Sequence, residues 1–204
     1  MAVDAIGGKI MTVIFCDCND VDTKNLRGIW RDLDAKVIEL SSKTNVSQEE
    51  IDNALEEEKD TIIICGHGSD DGCFNPEKIN PGEIKSIQQL MNIDNFAISS
   101  RNAHLLKGKK VIGIWCFAAD FARKHNLEGF YSSMFISNKM EAKLLNVAVR
   151  SEDEINNSEI KFCNILNTLL RNGTPLNQWK ETITNNIQAD SKVESFNYKG
   201  VQYF

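Results

Sequence analysis

The chain has three prolines and twelve glycines in 204 residues, which excludes proline-rich and glycine-rich fibrous architectures. It has no apolar run long enough to span a bilayer. The longest, residues 111–119, falls far short of the roughly 20 residues required, so no membrane partner is expected. Basic clusters are absent beyond Lys107, Lys109 and Lys110, and the net charge is −6. Phosphate neutralisation needs clustered cations, so no nucleic-acid partner is expected either. Residues 1–8 carry Asp4 and no basic stretch before an apolar block, so no secretory signal is expected. Six cysteines without regular spacing read as reduced thiols of a cytoplasmic protein.

What is present is ordinary globular composition. Apolar residues at 42% and charged residues at 25% argue against disorder. The length suits a single domain over residues 1–204, large enough to bury its core without disulfide or metal staples. Residues 11–16, 36–40, 61–65 and 109–115 are short apolar runs rich in β-branched side chains, and read as buried strands. A fifth strand is expected over residues 130–137. Helical spacing predicts helices over 22–33, 82–91, 117–125, 155–170 and 177–187. Ser47 followed by Glu50 marks a capping box opening one more helix. Residues 66–102 form a long mixed connection, and the tail 193–204 alternates weakly, as a hairpin would. Alternating strands and helices predict an α/β fold with a mostly parallel central sheet. The core is expected over about residues 9–150, with helices and a hairpin after it. Chemistry on such a sheet gathers at the carboxyl ends of the strands.

Two residues stand at such ends with reactive side chains. His67 follows the third strand between Gly66 and Gly68, and Cys116 ends the fourth, 49 positions later. If those strands are neighbours, both side chains emerge on one edge. An imidazole can then take the thiol proton, and the helix after Cys116 favours thiolate. The N–H groups of Gly68 and Cys116 are candidates for an oxyanion hole. A lone cysteine or histidine is more often structural than catalytic; here it is the placement of the pair that raises both. A zinc reading of Cys65, His67 and Cys73, with Cys16 and Cys18 near, is weaker, because Cys16-x-Cys18 and Cys65-x-His67 lack the usual gap between ligands.

An apolar strand ending in His-Gly, then about fifty residues, then an apolar strand ending in Cys resembles the caspase-like cysteine peptidases. That superfamily holds caspases, metacaspases, gingipains, clostripain, legumain and separase. The matching stretches are residues 61–68, TIIICGHG, and 111–116, VIGIWC. The resemblance implies a three-layer α/β sandwich with helices on both faces of the sheet. It also implies a cysteine endopeptidase with His67 and Cys116 catalytic, a polypeptide substrate and no metal or other cofactor. In that superfamily the end of the first strand helps to line the specificity pocket, which makes Asp17 and Asp20 candidates for holding a basic residue before the scissile bond. Asp70 and Asp71 are a further acidic pair. The glutamine and glycine that flank the caspase nucleophile are absent from Ile114-Trp-Cys-Phe-Ala118, so cleavage after Asp is not implied. The alternative is a catalytically inactive caspase-like protein-binding module. A flavodoxin-like binder is disfavoured, because no glycine-rich loop follows the first strand.

Overall fold

The computed structural model describes residues 11–79 and 85–204. The N-terminal stretch 1–8 and the first turn of the helix expected over 82–91 lie outside them.

Six strands form one sheet: β1 (Met11–Cys16), β2 (Ala35–Leu40), β3 (Thr61–Cys65), then β7 (Lys110–Ile114), β8 (Gly129–Tyr131) and β9 (Gln202–Tyr203). Their order is β2-β1-β3-β7-β8-β9, and every pairing is parallel except that of β9 with β8. The chain is therefore α/β with a mostly parallel sheet, as its alternating pattern predicts. A smaller antiparallel sheet joins β4 (Gly68–Ser69), β5 (Gly72–Phe74) and β6 (Phe96–Ser99) within the long connection. These strands are too short to leave a period in the sequence.

Alternate residues of the central strands feed two cores. Ile14, Ile62, Ile64 and Val111 pack with Ile51 and Leu55 of α2 (Gln48–Glu57) and Phe121 of α4 (Ala118–His125). Val13, Phe15, Ile63, Cys65, Ile112 and Ile114 pack with Leu26 of α1 (Val21–Leu26) and with Phe162 and Leu166 of α6 (Glu152–Arg171). Trp179 and Ile183 of α7 (Trp179–Asn185) and Tyr198 of α8 (Lys192–Lys199) complete this second core. Both strand faces are covered, which is why the strands are apolar throughout. The Ser47–Glu50 capping box is formed at the start of α2.

Four expectations are corrected. The first helix stops at Leu26, passes through a 3-10 turn, Arg27–Trp30, and is broken by Asp32 at φ 60°. The fifth strand ends at Tyr131, because the Ser132 hydroxyl turns to the backbone of Trp115. Among the described residues of the helix expected over 82–91, only a single turn is helical, α3 (Ile87–Leu90). The tail is no hairpin. Ser191 caps α8, whose buried Val193, Glu194, Asn197 and Tyr198 recur at helical spacing, and only β9 follows it.

Candidate active site

The register of the sheet places the two reactive residues side by side. β3 and β7 are hydrogen-bonded neighbours, and their last aligned pair is Cys65 with Ile114. Gly66 N–H extends the ladder to the Ile114 carbonyl at 3.1 Å. His67 and Cys116 each lie two residues beyond that pair. A two-residue step keeps the face, so both follow Cys65 and Ile114 toward the α1 and α6 side. There they line one pocket with Asp22, Leu26, Phe135 and Glu159.

Local packing fixes both approaches. Gly66 has φ +157°, and a Cβ there would lie 2.7 Å from the Cβ of Cys16, so the chain can leave β3 at this angle only with glycine. At Gly68 a Cβ would overlap the buried Trp115 ring and the Gly72 carbonyl. That packing demand is what the sequence could not show beside the approach to a substrate carbonyl. Phe74 N–H donates to the His67 carbonyl, so Gly68, opposite Cys73, occupies a non-hydrogen-bonded position whose N–H points away from β5. Gly68→Ala is expected to cost about 1–3 kcal/mol, as overpacking against rigid neighbours does. Chemical denaturation measures it.

On the other strand, Trp115 N–H donates to the Ser132 hydroxyl at 3.0 Å, and that hydroxyl donates to the Trp115 carbonyl at 2.7 Å. Trp115 Nε1 donates to the Ser69 carbonyl, turning the indole away from the pocket core and onto the small sheet. Phe117 has φ 67° and Phe117 N–H donates to the Ser133 carbonyl. A non-glycine residue in this region costs about 1–3 kcal/mol, strain of the kind found beside functional groups. It turns the chain sharply, so that Cys116 stands at the pocket while α4 leads away. The Cys116 N–H makes no backbone hydrogen bond among the described residues.

His67 has a partner that the sequence did not reveal. Its Nε2 lies 2.7 Å from Oδ2 of Asp20. Asp20 also caps α1, its Oδ1 accepting from the N–H and the hydroxyl of Thr23. A carboxylate only accepts, so Nε2 carries a proton toward Asp20, and in the neutral ring Nδ1 keeps the lone pair. The Asp20 bond raises the His67 pKa above its ordinary value, outweighing burial. Burial alone would raise the Asp20 pKa, but the bonds from His67 and Thr23 hold it well below the usual carboxylate range.

The resting thiol is not activated as the helix and imidazole led us to expect. Burial pushes the Cys116 pKa from 9.0 up to about 11, and its S–H lies 3.5 Å from the Phe135 carbonyl.

The structure gives the specificity candidates other partners. Asp17 is engaged by Arg27 at 2.8 Å, and Arg27 also binds Glu39, so Asp17 faces a cation and not the pocket. Asp20 is taken by His67 and Thr23. Asp71 pairs with Lys124 at 2.6 Å. The carboxyls that do line the pocket are Asp22 and Glu159. Glu159 falls four residues after Ile155 and four before Cys163, inside the apolar stripe of α6, a signal legible in the sequence. Ile160, next to it on α6, faces outward and is exposed.

Glu159 is 3% exposed, and burial raises its pKa from the ordinary 4.5 to about 8. Between those values the folded chain keeps a proton that the unfolded chain loses, so stability falls as pH rises through this window. The full effect is about 4–5 kcal/mol at 1.36 kcal/mol per unit. Glu159→Gln keeps the shape and the Asn25 contact without titrating. Denaturation at about pH 5 and about pH 8.5 is expected to show wild-type stability falling by a few kcal/mol more than that of the variant, which keeps only the fall due to His67.

All six cysteines are free thiols. Cys65 and Cys73 are buried and join no metal-ligand cluster with the His67 imidazole among the described residues; Cys73 Sγ lies 3.6 Å from Cys16 Sγ and 3.5 Å from the His67 carbonyl. No helix among the described residues is long and apolar enough to cross a membrane. The chain matches no family model, no curated protein and no solved structure.

Proposed function

We propose that the chain is a cysteine endopeptidase of the caspase-like kind, with Cys116 as nucleophile, His67 as base and Asp20 orienting His67. The observation that carries this reading is the shared pocket at the ends of paired strands β3 and β7, with Asp20 on Nε2 of the imidazole. The two cores on either side of the sheet fit the three-layer sandwich of that superfamily.

In the proposed reaction His67 Nδ1 takes the thiol proton as Cys116 Sγ attacks the scissile carbonyl. The N–H groups of Gly68 and Cys116 face the developing oxyanion. The imidazolium returns the proton to the leaving amine, and a thioester remains. Water, deprotonated by His67, hydrolyses it and frees the thiol. Asp20 holds the tautomer and stabilises the imidazolium at each stage.

A basic residue before the scissile bond suits the pocket. A guanidinium or ammonium beside Asp22 and Glu159 would restore the charge that burial suppresses on Glu159. The experiment is hydrolysis of fluorogenic peptides carrying Arg, Lys, Asp or Leu before the bond. Turnover of the Arg or Lys peptides, lost in Cys116→Ala, supports the reading. Turnover of Leu or Asp alone contradicts the basic preference, and no turnover of any contradicts the enzyme.

A second reading, an inactive caspase-like module that binds a protein, is favoured by two observations. The pocket is small, about 30 Å³, and the thiol is pushed up to about 11. On the peptidase reading, side chains at the rim move aside for substrate, and the raised His67 basicity supplies the missing activation.

A further inference from the structure

Beside the dyad lies a second constellation that the proposed reaction uses only in part. Cys18, Asp20 and His67 each offer a donor atom, and these atoms lie within 4.8 Å of one another. All three side chains are partly exposed.

We propose that Cys18, Asp20 and His67 form a binding site for a zinc-class divalent cation, and that the cation shuts off the dyad by taking His67. The inhibitory half rests on the peptidase reading; the metal site does not.

The donor set is one thiolate, one carboxylate and one imidazole, which suits a borderline-soft ion and suits calcium or magnesium poorly. Three protein ligands and an open fourth position are an ordinary zinc arrangement. Each ligand is held from behind. Asp20 Oδ1 is occupied by Thr23, which leaves Oδ2 facing the cluster. Cys18 N–H donates to Thr23 Oγ1 at 3.2 Å, and the His67 backbone N–H bonds to the Cys18 sulfur. Asn19, between two of the ligands, has φ 57°, and its N–H donates to Asp17 Oδ1 at 2.8 Å. Such outer contacts fix the ligands of a metal site. Little movement is needed. At bonds of about 2.0–2.3 Å, tetrahedral ligands stand about 3.3–3.8 Å apart. The 2.7 Å Nε2–Oδ2 pair would open slightly, and the wider separations would close.

The cation takes the place of the proton between Nε2 and Asp20, which moves to Nδ1 of the neutral ring, and displaces the proton of the Cys18 thiol to solvent, so binding releases a proton. With Nε2 on the metal, the neutral ring carries its one proton on Nδ1. No lone pair then remains to accept the proton of Cys116.

The test titrates the full chain, stripped of metal by a chelator, with Co²⁺ and Zn²⁺. Co²⁺ should give a thiolate charge-transfer band that Cys18→Ser abolishes and Cys116→Ala retains. Cys18→Ser should weaken Zn²⁺ binding at least about tenfold. Circular dichroism and a second variant, Cys18→Ala, separate loss of a ligand from loss of fold. No band on the wild type, a band that survives both Cys18 variants, or one lost in Cys116→Ala overturns the site. Where the chain cleaves peptide, Zn²⁺ should inhibit it and both Cys18 variants should escape at the same Zn²⁺ concentration. Equal inhibition of wild type and variants overturns the switch. A chain that binds Co²⁺ through Cys18 yet cleaves nothing overturns the switch and the peptidase reading and leaves the site.

Discussion

Cys116→Ala abolishes peptide cleavage while the chain stays folded. Removing a nucleophile that acts with its base takes away nearly the whole covalent route, a loss on the order of 10⁴-fold or more. The cost to the fold is small. The sulfur makes one weak hydrogen bond, to the Phe135 carbonyl, and packs only at the edge of the core, and the backbone of the turn is held through Trp115, Phe117 and Ser132. Circular dichroism and a melting curve should overlay those of the wild type to within a few degrees, while turnover of the Arg and Lys peptides disappears. Turnover that persists in a folded Cys116→Ala chain removes the nucleophile from the account.

Asp20→Asn lowers kcat/KM by about 10²–10⁴-fold and moves its acid limb to lower pH. The sign follows from the base. His67 must be neutral to take the thiol proton, so activity rises with pH through the His67 pKa. Asp20 raises that pKa above the ordinary 6.5, and the neutral amide removes the cause. The variant therefore reaches its plateau at lower pH, at a much lower rate, because the imidazole is a weaker base and its tautomer is no longer fixed. An uncharged partner of equal size also keeps the Thr23 cap largely intact, so stability should change far less than rate. A drop in rate with an unmoved limb would make Asp20 a helix cap and nothing more. The same pair contributes to stability with the opposite limb. His67, raised by Asp20, stabilises the fold below its unfolded pKa, and that contribution is lost as pH rises through the folded value.

The sequence carried the fold where strands are apolar on both faces and helices have strong caps. β1, β3 and β7 read as buried strands for that reason, and Ser47–Glu50 announced α2. Because β3 and β7 pair directly, residues two positions past each became neighbours without any knowledge of side chains. What failed was local and short. The β4–β6 sheet has strands of two to four residues, below any detectable period. α8 is not legible as a helix, because a short stretch with Val193, Phe196 and Tyr198 fits a loose alternation as well as a helical face.

The site was legible in part for a related reason. His67 and Cys116 stand at strand ends, where position alone suggests chemistry. Asp20 sits in a loop 47 positions before its partner, and an N-cap aspartate looks the same whether or not a histidine lies opposite. Asp17 and Asp20 share one loop after β1, and the choice between a substrate pocket, an Arg27 bridge and a His67 partner depends on side-chain direction. Glu159 could have been found, as a lone carboxyl on the apolar stripe of the longest helix. Its link to Cys116 needs the packing of α6 on the sheet.

Covalent labelling tests the dyad most directly. Four of the six thiols, Cys16, Cys65, Cys73 and Cys163, are buried, so Cys18 and Cys116 are the ones a reagent can compete for. A peptidyl acyloxymethyl ketone with arginine beside the warhead reacts only where a thiol, a base and a fitting pocket coincide. Peptide mapping by mass spectrometry after labelling should find one adduct, on Cys116, lost in His67→Ala and unaffected in Cys18→Ser. An adduct on Cys18, equal labelling of both thiols, or labelling of Cys116 that does not depend on His67 would contradict the dyad.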